Sequence, residues 1–262
     1  MPFSGLTNLG AIFAVGLEPK KHLEDINYRL TFSRLASMSR MLNMFFAYYL
    51  PHICKKYFGN VYTVFAGGDD LFLIGPYDEI LELNFLINHE FFKFSGCNEE
   101  LTLSSGISIA KHNTPLFFIS EMAENNLNIS KNYPDNPLSK GYTHVFGATE
   151  KTEEFKDEFD NLYNFISSSI LNHLQNNTSF WYKLLGILDM RININENIRN
   201  IMWMPRLKYL FARSFPNKNK ETESEFKKFI YTMTDRNPSL LRALITKFLY
   251  AKKYKILGGQ NG

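Results

Sequence analysis

The chain has 262 residues, of which 45% are hydrophobic and 15% aromatic, and its formal net charge is +3. This composition excludes general disorder and supplies enough apolar side chains for one large or two modest domains. The two cysteines, Cys54 and Cys97, belong to no CxxC pair, which argues against a disulfide scaffold and favours a reducing, cytoplasmic compartment. No stretch reaches about 18 uninterrupted apolar residues, so we expect no membrane span.

The charge is divided unevenly along the chain. Residues 1–150 carry 11 Lys/Arg and 15 Asp/Glu, whereas residues 151–262 carry 18 and 11. From Arg199 to the end there are 14 basic residues against 4 acidic ones. Such asymmetry favours a polyanionic partner for the C-terminal part, and a solvated basic helix face is the alternative.

The first half of the chain alternates strand and helix patterns. In chain order we expect a strand over 9–15, a helix over 29–57 that Pro51 interrupts, a β-hairpin over 61–75, a helix over 77–94, a strand over 101–110, a helix over 115–131 and an edge strand over 142–146. This order, β-α-β-β-α-β-α-β, predicts an α+β fold of the ferredoxin-like type.

From Thr152 onward the strand pattern disappears. Helices are expected over 155–175, 180–188, 198–215, 223–232 and 238–253, followed by a disordered tail at 258–262. We place a boundary near Ala148, because acidic residues of the kind favoured in a first helical turn follow it at Glu150, Glu153 and Glu154. The predicted domains are therefore residues 1–148 and an all-α bundle over 149–262.

The hairpin segment contains the most informative motif, Gly67-Gly68-Asp69-Asp70. The glycines suit a tight turn, whereas two adjacent carboxylates on an apolar hairpin repel each other. A divalent cation such as Mg²⁺ or Mn²⁺ would relieve this repulsion, and carboxylates that hold a metal against nucleotide phosphates are the working arrangement of polymerase and cyclase palm domains. A solvated polar turn is the alternative.

Four segments together indicate a protein family more specifically than the hairpin motif does alone. They are residues 33–40 (SRLASMSR), 62–75 with the Gly-Gly-Asp-Asp motif, 101–107 (LTLSSGI) and 203–210 (WMPRLKYL). In order and spacing they resemble the C-terminal part of the large subunit of type III-A CRISPR effector complexes, the palm-containing cyclic-oligoadenylate synthetase. The resemblance covers nearly the whole chain. Diguanylate-type cyclases share the hairpin, whereas the first and last segments separate the two families.

The resemblance implies a palm that binds ATP and joins AMP units through 3′–5′ bonds in antiviral defence. Asp69 and Asp70 would be the catalytic metal ligands, and Gly67 and Gly68 would let the backbone approach the nucleotide closely. Two further residues are expected to bind ATP. Ser39 would read the base through its hydroxyl, with a surface serine as the alternative, and Lys131 would contact the triphosphate, with a lysine favoured by the helix dipole as the alternative. We expect Ser104 and Ser105 to be structural.

For the helical part, the resemblance implies packing along the small helical subunit of the effector complex, near guide and target RNA. Phosphate contacts need charge rather than sequence readout, so the candidate RNA-binding residues are basic: Arg206, Lys208, Arg213, Arg242 and Lys247. Trp203 and Tyr209 are expected in the core rather than as base-stacking platforms. Other effector subunits, including the one at the tag end of the guide, are the expected partners.

One departure leaves alternatives open. The family's first palm strand carries an Asp-x-Asp-Asn-Leu-Gly pattern, whereas this chain has Gly5 and Thr7 at the two carboxylate positions. The match begins there, so we expect the first palm and the HD nuclease domain of the family to lie outside it, in a longer protein or on another polypeptide. The chain alone should then be inactive or weak. A non-catalytic assembly or RNA-binding subunit is the second hypothesis, and a diguanylate-type cyclase is the third.

Overall fold

The structure is a computed structural model that describes residues 9–19, 32–67, 70–99, 101–111, 113–133, 141–167, 174, 177–215 and 220–258. Several positions discussed above lie outside the described residues: Gly5, Thr7, Gly68, Asp69, the first residues of the helix expected over 29–57, the end of the helix expected over 155–175, and most of the expected tail. The chain divides into two compact units, Met1–Glu153 and Glu154–Gly262.

The first unit contains strands and helices in the expected alternation. They are β1 (Leu9–Pro19), α1 (Phe32–Met44), a π-helical turn (Phe45–Tyr49), α2 (Leu50–Tyr57), β2 (Tyr62–Gly67), β3 (Asp70–Pro76), α3 (Tyr77–Phe94), β4 (Leu101–Lys111), α4 (Leu116–Lys131), β5 (Tyr142–Val145) and β6 (Ala148–Lys151).

The strands form one six-stranded sheet in the order β2-β3-β1-β4-β5-β6. Strand β1 is antiparallel to both β3 and β4, and β5 is parallel to β4. The first four strands therefore have the ferredoxin-like arrangement, which confirms the predicted α+β class. The first strand is longer than predicted, because its pairing with β4 continues to Pro19.

The end of this unit differs from the prediction. Strand β5 is not an edge, because β6 pairs with it antiparallel and contains Glu150, which we expected in a helix. Phe146 and Gly147 connect the two strands with φ values of 54° and 78°, as a type I′ turn requires. The additional hairpin explains why the units divide after Glu153 rather than near Ala148.

Helices cover the two faces of the sheet differently. Helix α3 lies on the face that carries Leu73 and Thr143, where Asn84 Nδ2 donates to Thr143 Oγ1 at 3.0 Å. Helix α4 lies on the other face, where Ser108 Oγ donates to the carbonyl oxygen of Ile119 at 3.0 Å. We call these the α3 face and the α4 face.

The predicted interruption at Pro51 takes the form of the π-helical turn before it. Proline has no N–H to donate within a helix, and at Leu50 the backbone N–H donates to the oxygen of Phe45, five residues earlier. The turn is anchored by Phe45, which is fully buried and lies edge-on to Phe91 of α3 with 5.2 Å between ring centroids. This contact packs the α1–α2 segment against α3.

The chain that follows β6 is helical wherever the structure describes regular elements. It contains α5 (Thr152–Ser167), α6 (Thr178–Ile192), a 3₁₀ turn (Ile198–Met202), α7 (Trp203–Ser214), α8 (Lys220–Arg236) and α9 (Pro238–Gly258). These elements confirm the predicted helical region. The 3₁₀ turn begins the segment that we expected to be a single helix over 198–215, and Gly258 belongs to α9 rather than to the tail.

Aromatic side chains form the core of the second unit. Trp181 is fully buried, donates from Nε1 to the oxygen of Leu174 at 2.8 Å, and packs against Phe248 with 5.1 Å between centroids. On α7 the buried residues are Trp203, Leu207, Leu210 and Phe211. The prediction of a core position is right for Trp203 and wrong for Tyr209, which is 65% exposed, because the helical period directs Tyr209 away from the buried side.

Within the described part of the chain, no helix combines the length and the apolar character that crossing a membrane demands.

Candidate active site

The Gly-Gly-Asp-Asp motif lies at the turn of the hairpin formed by β2 and β3. Gly67 ends β2 and pairs with Asp70, which begins β3. Only Gly68 and Asp69 connect these two residues. Asp70 is exposed, whereas the next residue, Leu71, is 2% exposed. The hairpin prediction is therefore confirmed, and the buried leucine fixes the backbone from which the Asp70 carboxylate projects.

Glycines flank Asp70 on both neighbouring strands. Gly67 lies opposite it on β2 and Gly16 lies opposite it on β1. Cross-strand neighbours normally contribute side chains 4.5–5.5 Å away, and here neither neighbour has one. The absence of these two side chains favours close approach of a ligand to the backbone beside the carboxylate.

Gly67, Asp70 and Gly16 are neighbours in one cross-strand row, which we call the Asp70 row and which continues to Ser104 on β4. Gly16 pairs with Ser104 on its other side, so Asp70 and Ser104 lie on the same face of the sheet, the α4 face, on either side of Gly16. Ser104 is fully buried, and its hydroxyl has no hydrogen-bond partner among the described residues. Sequence reasoning missed Gly16, because the first strand was expected to end at Val15. The pairing of that strand with β4, which continues to Pro19, shows where it belongs.

Helix α4 runs toward this row. Near its start, Ile119 contacts Ser108, and one turn or more later Ala123 and Leu127 pack on Gly106. Moving along α4 therefore corresponds to moving along β4 from Ser108 toward Ser104. Lys131 is the last residue of α4, so the direction of the helix carries this ammonium group toward the end of the sheet where Asp70 lies.

Ser39 lies on the exposed surface of α1. The α1–α2 segment packs against α3 through Phe45 and Phe91. Ser39 thus belongs to the segment that packs against α3, whereas Lys131 belongs to the helix on the α4 face.

The donor set at the hairpin fits a hard divalent cation in its chemistry, because Asp70 offers exposed carboxylate oxygens. Among the residues that the structure describes, no three His, Cys, Asp or Glu side chains gather into a group that could hold a metal ion. Asp69, the second carboxylate of the motif, lies outside those residues.

The neighbouring Ser105 has a structural role in the described contacts, as expected. It lies on the α3 face, is fully buried, and its hydroxyl is hydrogen bonded to Thr143 Oγ1 at 2.7 Å. Thr143 Oγ1 also contacts Thr152 Oγ1 at 2.8 Å. These buried hydroxyl groups join β4, β5 and the start of α5.

A cavity of about 370 Å³ lies elsewhere in the first unit, between the end of α3 and the starts of β4 and α5. Phe91, Thr102 and Lys151 are among the residues that line it, whereas the hairpin does not contribute to it. Asp70 and Ser104 are therefore not part of this cavity.

The five basic residues expected to contact RNA fall into two groups. Arg242 Nε donates to Asp189 Oδ1 at 2.6 Å, and Lys247 Nζ lies 3.5 Å from the centroid of the Phe159 ring. Arg206, Lys208 and Arg213 all lie on the exposed side of α7. The second group is the one whose charge is presented to solvent.

A ferredoxin-like sheet with an exposed Asp after a Gly-rich hairpin turn defines a palm domain of the nucleotidyl cyclase type. Residues 7–138 match the family model described as "Cas10/Cmr2, second palm domain", which is half of the chain. The chain therefore belongs to the Cas10/Cmr2 family, as the sequence motifs predict.

Two curated relatives bear the name "CRISPR system single-strand-specific deoxyribonuclease Cas10/Csm1 (subtype III-A)". The protein from Methanocaldococcus jannaschii is 36% identical over 137 residues, which is 48% of this chain and 16% of the relative. The protein from Enterococcus italicus is 32% identical over 214 residues, which is 80% of this chain and 25% of the relative. This chain therefore spans a quarter or less of the length of these relatives.

Solved structures with the same fold extend the likeness to both units. A Csm1–Csm4 cassette in complex with cA4 has a TM-score of 0.69 at 18% identity, covering 95% of this chain and 37% of the solved chain. A Csm1–Csm4 cassette in complex with AMPPNP has a TM-score of 0.62 at 19% identity, covering 92% and 37%. At these identities the comparison concerns the fold.

Proposed function

We propose that the chain is the second-palm and helical part of a type III-A effector large subunit that joins ATP into cyclic oligoadenylates when target RNA is recognised. The observation that carries this proposal is the position of Asp70 at the start of β3, with Gly67 and Gly16 as its cross-strand neighbours. The ligands of the structural relatives, AMPPNP and cA4, support it.

In this proposal the two hairpin carboxylates, Asp69 and Asp70, hold Mg²⁺ or Mn²⁺. When bound, the metal supplies charge neutralisation of the triphosphate and eases ionisation of the attacking 3′-hydroxyl. Gly67 and Gly68 allow close approach of the backbone to the nucleotide. Lys131 contributes a point charge toward the phosphates, and Ser39 contributes a hydroxyl that can pair with adenine.

The rest of the catalytic centre comes from the first palm of the family, which pairs with the palm of this chain. Asp70 is exposed on the described surface, and Thr7 supplies a neutral hydroxyl where the family carries an aspartate. A paired palm would enclose the two ATP molecules that must react. We propose that other effector subunits, among them a Csm4-like protein as in the structural relatives, assemble with this chain in the cytoplasm together with guide and target RNA.

The second candidate is a non-catalytic assembly subunit of the same complex. Thr7 favours it, because a neutral ligand binds a hard divalent cation more weakly than a carboxylate does. The retained carboxylate pair at 69–70 favours the enzyme. A diguanylate-type cyclase is the weakest candidate, because such enzymes share the hairpin but not the basic helical region.

Product analysis distinguishes these functions. Labelled ATP and Mn²⁺ are incubated with the chain, with and without the remaining effector subunits and target RNA, and the products are separated by thin-layer chromatography and identified by mass spectrometry. Oligoadenylates that depend on both carboxylates support the proposal. Their absence from the complete complex would favour the assembly role, and products from GTP would favour the diguanylate-type cyclase.

A further inference from the structure

The basic residues of the second unit differ in whether a carboxylate neutralises them. Arg191 pairs with Asp235 at 3.4 Å, Arg242 pairs with Asp189 at 2.6 Å, and Lys227 lies 3.9 Å from Glu223. On α7, the described contact of the Arg206 guanidinium is with the Met190 sulfur at 3.4 Å.

Along α7 the charge remains uncompensated within the described chain. Arg206, Lys208 and Arg213 have no ion pair with any described carboxylate. The sequence contains no Asp or Glu between Glu196 and Glu221. The exposed side of α7 is therefore a region of positive potential, which attracts polyanions.

An exposed aromatic ring lies within this charge. Tyr209 is 65% exposed, three residues after Arg206 and four residues before Arg213. Residues three and four apart are neighbours on a helix surface, so the three side chains form one line, which we call the α7 stripe. Within the described residues, the Tyr209 ring makes no ring contact and its hydroxyl makes no hydrogen bond.

The opposite side of α7 holds the stripe in a fixed position. Trp203, Leu207, Leu210 and Phe211 are all buried there. The α7 stripe therefore projects from a helix anchored along its length, so the backbone positions of its three residues are fixed before any ligand binds.

We propose that the α7 stripe binds single-stranded nucleic acid, with the Tyr209 ring stacked on an unpaired base and Arg206 and Arg213 in contact with the flanking phosphates. Aromatic platforms in a positive groove are the usual means of binding single strands, because every base has a π-face. In a duplex those faces are stacked inside the helix, so a duplex can contact the α7 stripe only through its phosphates. The inference does not depend on nucleotide synthesis by the palm, and it separates α7 from Arg242 and Lys247, whose side chains have partners within the unit.

The test uses the full 262-residue chain and fluorescence anisotropy. The probes are a labelled single-stranded oligouridylate and an RNA duplex of the same length, each measured over a series of salt concentrations. We expect tighter binding of the single strand. Tyr209→Ala should weaken it about five- to 140-fold, the range implied by the value of one stacked base, and Tyr209→Phe should retain it because the ring remains.

Two matched controls separate stacking and charge from general surface effects. Tyr48→Ala removes another exposed tyrosine, at 76% exposure in the first unit, and should leave binding unchanged. Arg206→Ala and Arg213→Ala should each lower the slope of log affinity against log salt by about one, whereas Lys156→Ala, an exposed lysine of α5, should not.

Three outcomes would overturn the proposal. The first is equal affinity for duplex and single strand, unchanged by Tyr209→Ala, which indicates contact through charge alone. The second is the absence of salt-dependent binding, which indicates that the face docks a protein. The third concerns photocrosslinking with 5-iodouridine RNA, which should attach to the peptide that contains Tyr209. Attachment exclusively to other peptides contradicts the assignment even if affinity is normal.

Discussion

Gly106 of β4 lies so close beneath Leu127 of α4 that a Cβ atom at Gly106 would overlap the backbone nitrogen of Leu127. The same atom would lie 2.6 Å from the oxygen of Ala123. The absence of a side chain is therefore what allows α4 to pack on this face of the sheet. Because α4 ends at Lys131, the contact also determines where that lysine lies relative to the Asp70 row.

Gly106→Ala is expected to destabilise the first unit by about 3 kcal/mol. Overpacking a core typically costs about 1–3 kcal/mol, and here the obstructing atoms belong to the helix backbone, which moves less readily than a side chain. Chemical denaturation of both variants measures the effect. Gly59→Ala is the control, because an added Cβ meets nothing within 4 Å there. Equal stability of the two variants would contradict the proposed packing role.

Thr143→Val is expected to cost about 1–3 kcal/mol, the usual range when buried polar groups lose their partner. The variant keeps the side-chain shape but removes the hydroxyl that accepts from Asn84 and bonds to Ser105 and Thr152. Adding Ser105→Ala should recover part of the loss, since one orphaned hydroxyl then disappears. Thr232→Val, at an exposed position of α8, should change the free energy of unfolding by much less.

Stability should fall on acidification partly through His144. Burial lowers the pKa of His144 below its usual 6.5, so the unfolded chain takes up a proton at a higher pH than the folded chain does. Stability is then full above about pH 6.5 and declines as the pH falls toward the lowered folded pKa. His144→Asn, which keeps a polar group near Thr149 Oγ1, should flatten this decline in pH-dependent denaturation.

The comparison variant for the pH profile is Tyr49→Phe. The hydrogen bond from Tyr49 lowers the pKa of Glu90 below 4.5, so it stabilises the fold above that pH and is lost as the pH falls through the lowered value. This variant should therefore lower stability by a constant amount between about pH 4.5 and neutrality, and in the acid range it should change the slope of the profile only below about pH 4.5. A His144→Asn profile that matches wild type between about pH 5 and 6.5 would show that His144 does not contribute.

Asp69→Ala combined with Asp70→Ala is expected to abolish ATP polymerisation in the assembled complex. The thermal midpoint should stay unchanged or rise slightly, because the double change removes repulsion between adjacent carboxylates. Glu82→Ala, an exposed acidic residue of α3, is the control for loss of charge. Continued synthesis by the double variant would refute the catalytic role, and a midpoint lowered by many degrees would indicate a structural turn.

The chain by itself is expected to bind ATP weakly and to make little or no oligoadenylate. Its palm has a hydroxyl at Thr7 in place of a carboxylate, and one palm cannot enclose two ATP molecules. Equilibrium binding and product analysis measure both properties, and supplying the other palm should restore synthesis. Robust turnover by the chain alone would contradict the need for a second palm, unless light scattering detects a homodimer that provides it.

The sequence by itself determined the order of the elements, the hairpin with its acidic turn and the helical character of the second unit. These features depend on local periodicity and on residues close together in the chain. The length of β1, the β5–β6 hairpin and the 3₁₀ turn before α7 were not predicted. The Phe146-Gly147 pair is a weaker turn signal than Asn-Gly, and the alternation of β5 and β6 extends over only four residues each.

The relationships that bear on function were decided by the tertiary structure. The alignment of Asp70 with Gly16 depends on strand register across more than fifty intervening residues, and the direction of α4 depends on the lack of a side chain at Gly106. The exposure of Tyr209 and the pairing of Arg242 with Asp189 depend on which helix faces pack together. The sequence identifies a basic helical region, but packing between distant residues selects which of its charges remain free to meet a polyanion.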